Sequence, residues 1–498
     1  MKQGKRAGER LIYGGFLLGV LAFLLVFFLH YRPLIVDNMD DWTYISFSRA
    51  AVPIWKYWNP SRVLPEILMP ACAQAAVWFV MPFAGDYVWS ISIVAGVFLS
   101  LMITLYIGLF ARLLADRMHL GAPVTVLVSA LFLVFHFKSW MSPWIASQHM
   151  FYTGCITTCF FYLIPALLNI QLVLLMEIKK DQGSMADGEH VIQKGLLIIL
   201  LYLAVFSNLF SSCILAVYAG YRLLCCMAEA IRSRMPLKHF LKKSGLFLGI
   251  LAAWAVSVIF ELSGGRARNL TGEEPLLDRI KSVIHLLLDV VERMEDTVFY
   301  LSAAILVTGL VLMLISRWKK PEDRTYAKAV LGHLFCACVT LLYLILLSAS
   351  TACEYITRMD VLICAVFHVL IAVFYSLSYI IGKCRNAALA MPLVTFIIAF
   401  DVLLGIDTFA QSNVLGTSAD VCLKTNRSFV QQILEADQAG LTEMTLRVPR
   451  CDTEDNWPYA FHMGGRMVTA LKSHDMIDHI EVIHVEAIDD YDTEFGID

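Results

Sequence analysis

Asp37-Asn38-Met39-Asp40-Asp41-Trp42 comes directly after Leu11–His30, the first stretch of the chain long and apolar enough to cross a bilayer. Carboxylates beside hydrocarbon are costly, and near a membrane they mark function more often than packing. Lys2, Lys5, Arg6 and Arg10 precede the apolar stretch, so the positive-inside preference holds its start in the cytoplasm. The acidic hexapeptide then emerges on the opposite face. No small-residue cleavage site precedes Tyr31, which makes Leu11–His30 an uncleaved anchor.

The remainder of the chain has the same character. Of 498 residues, 58% are hydrophobic and 16% charged, and the mean hydropathy is +0.67, a balance that excludes a soluble domain. The expected fold is an all-α polytopic membrane protein. Further apolar segments lie near Tyr87–Leu114, Gly121–Phe137, Met150–Met176, Gly195–Phe206, Leu209–Cys226, Gly245–Glu261, Val298–Ile315, Ala327–Ser348, Val361–Ile381 and Ala388–Phe409. With the anchor they make about eleven spans. Gly195–Cys226 reads either as two short spans broken at Ser207-Asn208 or as one long tilted helix.

Leu64–Met81 is also apolar but contains Pro65, Pro70 and Gln74. Kept on the outer face as an interfacial or re-entrant helix, it lets the loops with Arg112 and Arg117, Lys179-Lys180, Arg232 to Lys243, Arg317 to Lys320, and Lys383 with Arg385 all fall in the cytoplasm. Net charge, −3, says little in a chain whose charges are sorted by side. The loops Tyr31–Asp86, Lys138–His149, Leu262–Thr297 and Ser350–Met359 then share the exterior with the tail. Two domains follow: a transmembrane domain over 1–410, with a first exterior loop over 31–86, and an extracytoplasmic α/β domain over 411–498. In the tail, Phe429–Gln438 has helical spacing, while Met444–Val448 and Ile480–Ile488 read as strands.

Most of the thirteen cysteines sit in apolar segments as small hydrophobes, and no Cys/His spacing resembles a zinc site. Cys422 and Cys451 lie in the polar tail and can pair if it faces an oxidising space. There is no glycine-rich nucleotide loop, which argues against an ATP-driven pump. Between Leu276 and Glu292, apolar and polar residues segregate to opposite sides of a helix suited to lie along the membrane. The triplets Asn269-Leu270-Thr271 and Asn426-Arg427-Ser428 have the spacing of glycosylation acceptors.

The chemistry-bearing residues gather in the exterior loops. Asp37, Asp40 and Asp41 stand near Trp42, Tyr44, Trp55, Tyr57, Trp58 and Arg62: carboxylates that can take a hydroxyl proton, with aromatic faces that can cover a sugar ring. Arg266 and Arg268 follow the turn Ser263-Gly264-Gly265, and Arg358 follows Glu354 and Tyr355. Guanidinium forks match phosphate oxygens. His149 shares a further loop with Lys138, Trp140 and Gln148.

In this order of parts the chain resembles the GT-C superfold of membrane glycosyltransferases, in particular bacterial multi-pass members that use polyprenyl-phosphate sugars. DNMDDW after the first helix, then WKYWNPSRVLPEIL leading into a surface-lying apolar helix, and a small exterior domain at the end carry the likeness. The resemblance implies transfer of a sugar from a polyprenyl-phosphate donor to an envelope glycan, lipid or protein acceptor on the outer face, with inversion. It implies Asp40 or Asp41 as base, with Asp40 favoured, and Arg266, Arg268 and Arg358 as holders of the donor phosphate. Asp37, Trp42, Trp58, Arg62, His149 and Glu354 would complete the substrate site. Superfold members differ over a divalent cation, magnesium or manganese, which Asp37, Asp40 and Asp41 would help to ligate. The alternatives are a lipid or polysaccharide transporter, which would place ionisable groups at mid-span, and a polymerase of glycan repeats.

Overall fold

The structure, a computed structural model, describes residues 2–53, 58–142, 146–179, 191–263, 274–316 and 321–497. It is 76% helical, as a chain that must satisfy its backbone inside a bilayer has to be. Among the described residues ten helices are long and apolar enough to cross a membrane: Gly8–Tyr31, Val63–Ala84, Tyr87–Arg117, Ile156–Lys179, Leu209–Ser233, Leu237–Ser263, Asp296–Ile315, Asp323–Ser350, Met359–Lys383 and Asn386–Leu404. Ala122–Lys138 and Ile192–Val205 are apolar but shorter. The architecture is that of a multi-pass, mostly helical membrane protein.

Gly195–Cys226 is two helices. Val191–Val205 and Leu209–Ser233 part at Asn208, whose side chain caps the second by accepting from the Phe210 N–H at 2.8 Å. Val63–Ala84 is a continuous helix despite its prolines: Pro65 stands in the first turn, where no N–H is needed, Pro70 lies inside the helix, and a π-turn over Ala76–Val80 follows before Met81–Ala84. It is long enough to cross, so its placement rests on the basic loops alone. Reporter fusions at Ser184, outside the described residues, and at Ser473 are expected on the cytoplasmic and outer sides respectively. Both reversed would mean that Val63–Ala84 crosses; both on one side would refute the span count.

The described chain divides into two compact units. The first comprises Met1–Leu21, Met102–Tyr152 and Tyr162–Phe409; the second comprises Ala22–Leu101, Thr153–Phe161 and Ala410–Asp498. The tail thus begins a unit boundary at 410, but it folds with the first loop rather than by itself.

In the first unit Met359–Lys383 is central, with 89% of its apolar window buried against 22% for Asp296–Ile315, which lies outside it. The two helices touch where Gly309 meets Ser376; a Cβ on Gly309 would fall 2.5 Å from that of Ser376, the small-residue approach common between membrane helices. Phe110 and Phe132 stack at 3.8 Å beside Tyr106 and Phe374. Two polar clusters lie among the helices, buried except for the half-buried Arg222. Tyr218 donates to Glu177 at 2.6 Å and receives Arg222 at 3.0 Å, and the Nδ1 atoms of His333 and His368 lie 3.1 Å apart.

In the second unit the tail supplies a helix, Ala419–Gln438, which contains the expected Phe429–Gln438 but starts well before it, and two strands, Glu443–Pro449 and Val482–Ile488, that fall within or around the expected runs. The strands pair in parallel from Glu443 opposite Val482 to Pro449 opposite Ile488. Parallel pairing requires a crossover, and Met463–Ser473 is the helix in it. Gly464 lies hard against the second strand: a Cβ there would meet the Ile483 carbonyl oxygen at 2.2 Å, a backbone atom that cannot swing aside. Gly464→Ala is expected to destabilise the protein by about 1–3 kcal/mol. A lowered melting midpoint in detergent checks this, with Gly465→Ala, whose Cβ meets nothing within 4 Å, as the unaffected control.

Cys422 and Cys451 are both free thiols. The first donates to Asp37 at 3.2 Å and the second to the Pro449 carbonyl at 3.9 Å, so neither sulfur is turned to the other's service.

Candidate functional site

Asn38 opens the short helix Met39–Tyr44 by accepting the Asp41 N–H at 3.1 Å. Asp40 and Asp41 occupy its first turn, where the helix dipole favours carboxylates. The helix packs against Met463–Ser473, and the Met39 N–H donates to the Pro458 carbonyl at 3.2 Å. Adjacent residues on one turn point apart. That divergence separates the acids into two environments.

Asp41 is fully buried. Its Oδ1 accepts from the Thr157 N–H at 2.7 Å and the Thr157 hydroxyl at 2.5 Å, and its Oδ2 accepts from the Asp37 N–H at 3.1 Å. Burial pushes its carboxyl up to about 7, although these donors pull the other way. Asp37 is buried as well, its Oδ1 receiving Tyr459 at 3.1 Å, Cys422 at 3.2 Å and Asn426 at 3.3 Å. Burial raises it above the usual carboxylate range.

Asp40 is the partly open member. Burial raises its carboxyl, and the positive charges of Arg62 first, then Arg466 and His462, hold the rise in check. Arg62 is half-buried, donates to the Tyr44 hydroxyl at 3.4 Å and lies 5.9 Å over the Phe161 ring. Tyr44 packs on the same ring at 4.6 Å. His462 and Arg466, one helical turn apart at the start of Met463–Ser473, are exposed. Nearby, Arg49 pairs with the buried Glu66 at 3.1 Å. The result is one accessible carboxylate among cations and aromatic rings.

Trp42 is not a platform for a sugar. It is completely buried, stacked on Tyr87 at 6.1 Å, with its indole N–H on Asn426 at 3.4 Å. Trp58 is half-buried, and Trp55 and Tyr57 lie outside the described residues. Asn426 is buried too, donating to Asp37 and to the Cys422 carbonyl at 3.0 Å, so its triplet cannot present the amide for glycosylation in the folded chain.

Three other predicted residues belong to the first unit. Arg358 spends its fork on Asp360, with Nε to Oδ1 at 3.0 Å and Nη2 to Oδ2 at 2.7 Å, and its guanidinium sits 4.1 Å over Tyr162 and 5.2 Å over Tyr355. A phosphate there would have to compete with a bidentate partner. Glu354 is exposed, and His149 is buried on the Phe137 ring at 5.2 Å. Arg266 and Arg268 lie outside the described residues.

The three acids do not suit a divalent cation. Asp41 has both oxygens on protein donors, Asp37 has one oxygen on three, and Asp40 faces cations instead of its fellow acids. Among the described residues no three His, Cys, Asp or Glu side chains gather as a metal site.

Sequence reasoning missed Thr157, His462, Arg466, Tyr459 and the roles of Cys422 and Asn426. The four-residue spacing of His462 and Arg466 was visible, but nothing local ties either to Asp40, far away at the start of the chain. No protein-family model, curated protein or solved structure matches the chain.

Proposed function

We propose that the chain is an integral-membrane glycosyltransferase that moves a sugar from a polyprenyl-phosphate donor to a cell-envelope glycan, lipid or protein acceptor at the outer membrane face. One observation carries the reading: of the acids in the hexapeptide, Asp40 alone is open, and it stands among Arg62, Arg466 and His462. In this scheme Asp40 takes the proton from the acceptor hydroxyl as that oxygen attacks the anomeric carbon. The carbon–oxygen bond to phosphate breaks on the opposite face, its electron pair leaves with the polyprenyl phosphate, and configuration inverts. Arg62 opposes the rise that burial causes in the Asp40 carboxyl, while the exposed Arg466 and His462 are the groups positioned to offset phosphate charge. Asp41 and Asp37 position the turn and touch no substrate. No step is routed through a metal.

The test is reconstitution of the purified chain in vesicles with polyprenyl-phosphate sugars and envelope-glycan acceptors, following acceptor-dependent release of polyprenyl phosphate. Release supports transfer. A second reading, transport, draws on the buried His333–His368 pair and on buried Glu177 and Tyr218 with the half-buried Arg222 beside them, all within candidate spans, where membrane transporters keep ionisable groups. Movement of the intact donor across the vesicle, with its sugar never cleaved, would establish that reading instead.

A further inference from the structure

Leu276–Glu292 divides its surface into three sectors rather than two. Arg279, Val283 and Val290 are buried against the first unit. Next to them around the helix, Leu277, Ile284, Leu288 and Val291 form an apolar strip that remains exposed, at 72% for Leu277 and 56% for Leu288. Asp278, Lys281, Ser282, His285, Asp289 and Glu292 make the remaining, exposed polar sector. The packing that buries one side of the helix therefore leaves a second apolar strip uncovered.

The helix is pinned to the ends of apolar helices, most of them long enough to cross a membrane. Near its start, Arg279 donates to the Thr351 carbonyl at 2.6 Å, one residue beyond Asp323–Ser350. Near its end, Trp140 donates to the Val290 carbonyl at 3.3 Å, just past Ala122–Lys138. Glu295 accepts Lys138 at 3.4 Å and caps Asp296–Ile315 through the Val298 N–H at 3.0 Å. Lys138 also pairs with Asp401, near the end of Asn386–Leu404. Three candidate spans and the shorter apolar helix Ala122–Lys138 thus end beside this helix. That places it at the depth where hydrocarbon meets headgroups.

We propose that Leu276–Glu292 is a bilayer-surface anchor, seated at the boundary between headgroups and acyl chains by Leu277, Ile284, Leu288 and Val291. Its polar sector holds three acids against one lysine, which is itself paired with Asp278 at 2.7 Å. Attraction to anionic lipid cannot drive the seating, so apolar burial does. The occupant of the strip is lipid, not a second copy of the chain.

The test uses the full chain with a photoreactive benzoylphenylalanine replacing Ile284 or Leu288, and His285 or Asp278 as controls. Each variant is reconstituted in vesicles of phosphatidylcholine alone and in equal parts phosphatidylcholine and phosphatidylglycerol. Lipid adducts at 284 and 288, equal in the two vesicles and weak at 278 and 285, are expected. Crosslinks to a second copy, or no adducts at 284 and 288, would overturn the proposal, as would adducts that need phosphatidylglycerol. Melting in detergent confirms that each variant is folded, and none of the substituted residues belongs to the site around Asp40.

Discussion

Asp40→Asn is expected to lower sugar transfer from a polyprenyl-phosphate donor by about a hundredfold or more while leaving folding and donor binding intact. The amide is nearly isosteric but accepts no proton at neutral pH. Because Asp40 is partly open and stands clear of the hydrogen bonds that hold Asp37 and Asp41, its replacement disturbs no buried bond. The pH profile gives a second readout. Burial raises the Asp40 carboxyl, so the acid limb of kcat/KM is expected above the ordinary value of 3.8. Arg466 opposes that rise, so Arg466→Ala should move the limb to higher pH. Near-normal turnover in Asp40→Asn would eliminate this base, and an unmoved limb in Arg466→Ala would remove Arg466 from its surroundings.

Asp41 is expected to govern stability where Asp40 governs turnover. Burial carries its carboxyl from 3.8 to about 7 in the folded chain. An acid raised in this way stabilises the fold fully below pH 3.8 and loses that contribution as pH rises through about 7, because the folded state binds the extra proton. The difference is on the order of 4 kcal/mol for a group buried this completely. Melting midpoints in detergent between about pH 5 and about pH 8 should therefore fall in the wild type, and fall less in Asp41→Asn, which has no proton to lose. Parallel pH profiles for the two proteins would contradict this account. Turnover measured on folded Asp41→Asn should be affected less than in Asp40→Asn, which separates a positioning residue from a base.

The membrane architecture was legible because hydrocarbon leaves a local record. Each apolar run named from composition contains a helix, and the three-sector helix at Leu276 was visible as an amphipathic repeat. The tail's strands were likewise carried by alternation within a few residues. What failed concerned partners. Trp42 and Asp37 look like surface recognition groups beside Asp40, yet they are core because Tyr87, Asn426, Cys422 and Tyr459 close over them. Arg358 looks like a phosphate fork, yet Asp360, two residues on, engages it.

By itself the sequence determined where the apolar helices lie and the change of character after residue 410, whereas the structure showed that ten helices among the described residues are long enough to cross rather than about eleven, and that Asn38 caps the acidic turn. Helix positions and the change of character depend on hydropathy and periodicity, both set by near neighbours along the chain. Only the tertiary structure decided which carboxylate is open and which is sealed, because that depends on side chains brought from far away. Thr157 arrives from the foot of a later helix to hold Asp41, and Arg466 and His462 arrive on a helix of the tail to face Asp40. A carboxylate's chemistry is set by the dielectric and charge around it, and in a folded chain those surroundings are non-local.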